Sequence, residues 1–193
     1  MKATDILRSE HDKILKVITL LQQYCFDIKA QKTIDRTHLS LIIEFIQVFA
    51  DRSHHAKEEK TLFPKMIEKG FPSGHSPITV MLQEHDLGRS HILKMKEVFP
   101  EFLKEEPQAT SCFLNEAFEF SSLLQQHIMK ENMILFQMAD NILDDAAQAE
   151  ILARFEQINN EILTPEFQAN ILNPVQEMVN NLGNPDTIFS SEA

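Results

Sequence analysis

The sequence repeats itself across its middle, and the repeated residues are imidazoles and carboxylates set on apolar helical stripes. Glu10-His11-Asp12 recurs as Glu84-His85-Asp86. His54-His55-Ala56-Lys57-Glu58-Glu59-Lys60-Thr61-Leu62-Phe63 recurs as His127-Ile128-Met129-Lys130-Glu131-Asn132-Met133-Ile134-Leu135-Phe136. The offsets are 85 − 11 = 74 and 127 − 54 = 73. An internal repeat of this length predicts two similar helical hairpins packed about a pseudo-twofold axis through a shared core.

Apolar residues spaced three and four apart (Leu7, Ile14, Leu15, Ile18, Leu21) mark the first helix. A second is predicted from about residue 34 to 69, ending at Gly70 with Pro72 beyond. Ser76-Pro77 reads as an N-cap and first turn, opening a third helix that ends near Phe99, before Pro100. A fourth runs from Pro107 to about Leu143, and Asp144-Asp145 separates it from a fifth reaching Leu163. Thr164-Pro165-Glu166 opens a short last helix ending near Gly183. No strand pattern competes. The expected fold class is all-α: an up-and-down antiparallel four-helix bundle over residues 1–143, a helical extension over 144–183 packing on it, and a flexible tail over 184–193.

The repeated residues point inward. His11 follows Leu7 by four and precedes Ile14 and Leu15 by three and four, while His127 and His85 stand at similar spacings from Leu123, Leu124, Met81, Leu82 and Ile92. His54 shares a face with Ile43, Ile46, Ala50 and Leu62. Glu58 and Glu131 follow His54 and His127 by four, so each pair reaches one place. An ionised carboxylate on an apolar stripe is costly without a cation or donor beside it. Four imidazoles and two such carboxylates converging on one core therefore predict a metal site made of His11, His54, Glu58, His85, His127 and Glu131.

All six donors are nitrogen or oxygen, which suits iron, manganese or zinc. Their twofold arrangement suggests two ions bridged by the glutamates, with exogenous oxygen (an oxo or hydroxo bridge, water or a diatomic ligand) filling the remaining positions. Register in the second helix is ambiguous, because His55 and Glu59 are also four apart. The repeat selects His54 and Glu58 and leaves His55 and Glu59 as flanking residues or as partners of the ligands. On an ideal helix His91 lies about 240° from His85, and His38 about 160° from His54, so both point elsewhere; His75 falls in a loop.

Composition excludes several classes. The net charge of −11 disfavours binding to nucleic acid or to an anionic membrane surface. No apolar run reaches the length of a membrane span and no signal peptide is evident, so a cytoplasmic location is expected. Cys25 and Cys112 read as free thiols.

Taken in this order and spacing, these motifs resemble the hemerythrin-like (HHE cation-binding) domain family. The resemblance rests on His11, on His54-His55-Ala56-Lys57-Glu58-Glu59 with Leu62-Phe63-Pro64, on Glu84-His85-Asp86-Leu87-Gly88-Arg89, and on His127-Ile128-Met129-Lys130-Glu131-Asn132. It covers roughly the first three quarters of the chain. It implies a non-haem diiron centre in a four-helix bundle, binding or sensing oxygen, nitric oxide or peroxide. It implies as alternatives a diiron oxidoreductase or an iron–sulfur-centre repair or iron-donor protein served by a protein or redox partner; a helical protein with a zinc site is the third reading. Oxygen-carrying members have a fifth histidine in an H-x-x-x-H pair on the third helix. Here Arg89 stands four residues after His85 and cannot ligate iron, so the pattern resembles the four-histidine, two-glutamate members.

Overall fold

A computed structural model describes residues 1–74 and 76–182. The end of the last helix at Gly183, the tail over 184–193 and the loop histidine His75 lie outside the described residues. Within them the chain is all helix, with no strand.

The first long segment is α1 (Ala3–Lys29). The second begins as α2 (His38–Phe45), winds as π-helix over Ile46–His55 and again over Glu58–Leu62, and ends as α3 (Phe63–Glu68). The third is α4 (Pro77–Leu103) and the fourth α5 (Pro107–Lys130), a π stretch Glu131–Leu135 and α6 (Phe136–Ile142). Then follow α7 (Asp145–Ile162), a single turn α8 (Pro165–Phe167), a π turn Gln168–Leu172 and α9 (Asn173–Asn180).

Local chemistry sets most of the ends. Asp144 caps α7 by accepting from the Ala147 N–H, and Thr164 caps α8 through Phe167. Gly70, at φ +93°, supplies the left-handed residue after α3. Ser76 holds the extended N-cap conformation before α4 without a side-chain cap bond. Two expected limits move. The second segment starts at His38, because Asp35 accepts from both the backbone N–H and the hydroxyl of Thr37 and holds a turn there. The third runs through Pro100 to Leu103: the proline removes the one hydrogen bond its N–H would have made, and the helix ends within a turn of it.

Side-chain contacts give the packing order. Along α1, Thr4, His11 and Gln22 meet Asp140, Asn132 and Gln125 in turn. Between the second and third segments, Glu59, Asp51 and Gln47 meet His85, Arg89 and Lys96. Each pair runs in opposite chain order, so these neighbours are antiparallel. The buried polar residues form a layer between two apolar clusters. Leu7, Leu62, Met81, Leu135 and Phe155 lie on one side of it, and Ile14, Ala50, Ile92, Phe113 and Leu124 on the other. Every long segment crosses that layer with a histidine. The residues from α7 onward add cover: Phe155 packs into the first cluster, and Phe167 and Val175 into the second.

Phe113 is fully buried, with its ring 4.2 Å from that of Phe102. Phe113→Ala is expected to cost about 3–5 kcal/mol. Urea titration will read this as a lower midpoint at unchanged m-value.

Candidate metal centre

The polar layer contains seven buried side chains that converge. Two groups of donors each lie within 4.8 Å of one another: His55, Glu58, His85 and His127 in one, and His11, His54, Glu58 and Glu131 in the other. Glu58 belongs to both. Its Oε1 is 3.5 Å from His54 Nε2 and its Oε2 3.5 Å from His85 Nε2. Glu131 Oε2 lies 3.2 Å from His11 Nε2 and 3.3 Å from His127 Nε2. Two ligands at right angles, each about 2.1 Å from a common ion, stand about 3 Å apart, so these spacings suit coordination.

The hydrogen-bond inventory points the same way. His11 Nε2, His54 Nε2 and all four carboxylate oxygens of Glu58 and Glu131 are buried without a hydrogen-bond partner. Buried polar atoms are nearly always satisfied, so six orphans meeting in one place fit a cation. His85 Nε2 and His127 Nε2 approach to 3.1 Å.

The other nitrogen of each ring is held from behind. Nδ1 of His54 meets Glu10 at 3.0 Å, that of His127 meets Glu84 at 3.0 Å, and that of His85 meets Glu59 at 2.7 Å. His11 Nδ1 meets Asn132 Oδ1 at 2.8 Å, and His55 Nδ1 meets Asp51 at 3.3 Å. All five partners are acceptors, so Nδ1 carries the proton and donates it, and the Nε2 lone pair faces the centre. The supporting glutamates are themselves anchored, Glu10 by Lys57 and Glu84 by Lys130. Lys57 is wholly buried, with its ammonium 5.9 Å from the Phe155 ring of α7.

Without a cation the protons must be shared. Burial and the facing Glu131 carboxylate push Glu58 well above the carboxylate range, while Glu131 stays ionised because His127 and His11 outweigh its burial. Burial drives His54 down to about 4; Glu131 and Glu84 overcome burial at His127 and push it up to about 9. Metal binding would replace these protons.

The structure brings together all six residues expected from the sequence: His11, His54, Glu58, His85, His127 and Glu131. It adds His55, which does not merely flank the site. His55 is buried, its ring stacks on His85 at 3.8 Å, and it joins one donor group. The sequence did hold a signal. The repeat puts Ile128 at the counterpart position, and an apolar residue there marks that position as interior; Ile128 is 2% exposed. Glu59 meets Nδ1 of His85 at 2.7 Å. His91 turns away and binds Glu116 at 2.7 Å, and His38 binds the Tyr24 hydroxyl at 2.7 Å.

Sequence reasoning also missed an ion network. Arg89 donates to Asp51, Glu59 and Asp86 at 2.9, 2.6 and 2.9 Å. With His55 it completes a group that departs from the repeat: Asp51, His55, Glu59 and Arg89 have Leu124, Ile128, Asn132 and Leu15 as counterparts. The departures therefore gather on one side of the centre. On that side a cavity of about 270 Å³ reaches His55, His85 and His127. The other side is closed by Phe136, whose ring stacks on His11 at 5.3 Å.

Among known proteins, the family model described as the hemerythrin HHE cation binding domain matches residues 2–139. No curated protein matches the chain. No helix among the described residues is long and apolar enough to cross a membrane.

Two outcomes are expected. Glu84→Gln, which weakens the acceptor behind His127, lowers metal affinity about 10- to 100-fold in competition with a chelator. In metal-free protein, burial raises the Asp51 carboxyl, but the bonds from His55 and Arg89 outweigh it and hold it at about 2, below the unfolded value of 3.8. Its stabilising effect is therefore full above about pH 4 and lost as pH falls through about 2. The melting-temperature gap between wild type and Asp51→Asn should narrow over that interval.

Proposed function

The chain belongs to the hemerythrin HHE cation-binding family, and from that premise we propose that it is a non-haem diiron protein that binds or senses a small oxidant: oxygen, nitric oxide or peroxide. The observation that carries this reading is the set of orphaned buried donors, two carboxylates and two imidazole nitrogens, meeting at the centre of the bundle. His55, His85 and His127 would hold one ion and His11 and His54 the other, with Glu58 and Glu131 between them. The bound pair supplies redox activity and open coordination positions.

The chain's own residues do the rest. Glu10, Glu84, Glu59, Asp51 and Asn132 fix each imidazole's tautomer and aim its Nε2 inward. Phe136 and Phe63, stacked near His11 and His85, keep water from two flanks. The side bearing Arg89 stays open to a small molecule through the cavity. Binding or sensing is preferred to turnover, because among the described residues the acidic groups nearest the imidazoles, Asp51, Glu59 and Glu84, are all engaged with imidazoles and cations.

A pair of zinc ions is the second reading, favoured by each group offering four donors, the number zinc prefers. Metal analysis and visible absorption separate the two. Protein expressed in iron-containing medium should carry about two irons per chain with charge-transfer bands, and His54→Ala and Glu131→Ala should lose metal and melt at lower temperature. Full metal content in both variants would overturn the assignment.

A further inference from the structure

We propose that the cavity beside His55, His85 and His127 binds an apolar organic molecule with one terminal oxygen, of the class of alkyl and aryl hydroperoxides and their alcohols. The proposal rests on the reading above only in that the oxygen would lie toward the metal-facing imidazoles.

Size is the first argument. A cavity of about 150 Å³ already accommodates benzene. At about 270 Å³ this one has room for about ten non-hydrogen atoms at the same filling, far more than a diatomic needs. Lining is the second. Ile46, Ile92, Leu93, Phe120, Leu123 and Leu124 wall it, so an occupant gains by burying hydrocarbon. At its edges Asp51 and Glu84 are balanced by Arg89 and Lys130, while Lys96 donates to Gln47. That balance suits a neutral ligand. Because these edge groups are already paired with charged or polar partners, the imidazole end, at His55, His85 and His127, is where the ligand's oxygen is placed.

The third argument is how the space arises. Gly88 lines the cavity, and its counterpart in the repeat is Ile14 (88 − 74 = 14), a core residue 1% exposed. The first hairpin thus fills with a side chain what the second leaves open. A Cβ on Gly88 would meet Phe120 Cε2 at 3.5 Å and Leu123 Cδ2 at 3.9 Å, ordinary contacts. A methyl group can therefore be added there at ordinary contact distances, so close helix packing does not by itself demand a glycine.

The test is methyl NMR on zinc-substituted and metal-free protein, titrated with 2-phenyl-2-propanol as an unreactive probe and with cumene as its oxygen-free analogue. Saturable shifts are expected at Ile46, Ile92 and Leu123, stronger for the alcohol. Gly88→Ile should weaken binding about tenfold or more, whereas Gly88→Ala should retain it. Metal content and melting temperature show that each variant is folded. No saturable shift in wild type, or equal binding by Gly88→Ile, overturns the proposal. A chain that holds two metals but not the alcohol fails here alone; one that holds no metal fails the diiron reading, and the metal-free titration still reports on the cavity.

Discussion

Glu58 and Glu131 place two carboxylates in the centre of a helical bundle, fully buried and with no hydrogen bond from the protein to any of their four oxygens. Each such charge, left alone, would cost several kcal/mol after relaxation. Much of the surrounding structure is arranged about that cost. The nitrogens that face the carboxylates come from five imidazoles, each turned by an acceptor behind it. A cation between them would convert mutual repulsion into shared attraction and so couple metal binding to folding.

The support extends a further step outward. Glu10 and Glu84 hold His54 and His127, and each is in turn held by a lysine from the segment whose histidine it supports. The two units are copies in sequence but not in environment. Lys57 is sealed beneath α7, whereas the Lys130 side chain is 35% exposed. The helix that follows the bundle therefore completes the burial of one half of the polar layer and leaves the other half nearer to solvent.

This asymmetry recurs at the centre. Asp51, His55, Glu59 and Arg89 replace what the repeat would make apolar or neutral, and Gly88 replaces an isoleucine. All five stand on the side where the cavity opens. A symmetric scaffold thus supplies the donors common to both hairpins, and departures from symmetry give one face an entrance. Three of the four described π-wound stretches contribute residues to the centre, at Ile46–His55, Glu58–Leu62 and Glu131–Leu135, while Gln168–Leu172 does not. Wider winding of this kind is common near functional sites, where it re-aims side chains that α geometry would send elsewhere.

The sequence by itself determined the all-helical class, the crossing of four segments by a polar layer, and six converging donors. These follow from periodicity, because the period of a helix states which way a side chain points from its own axis. Tertiary structure decided what each direction meets. On an ideal α-helix His55 would lie about 100° from His54; it enters the centre because α4 and α5 bring His85 and His127 to that face. Arg89, read from sequence only as a residue unable to ligate, proves to tie Asp51 and Glu59 behind two of the imidazoles. Gly88 becomes part of a cavity wall only together with Phe120 and Leu123 of a neighbouring helix. Such contacts depend on the placement of one helix against another, which no single helix's pattern encodes.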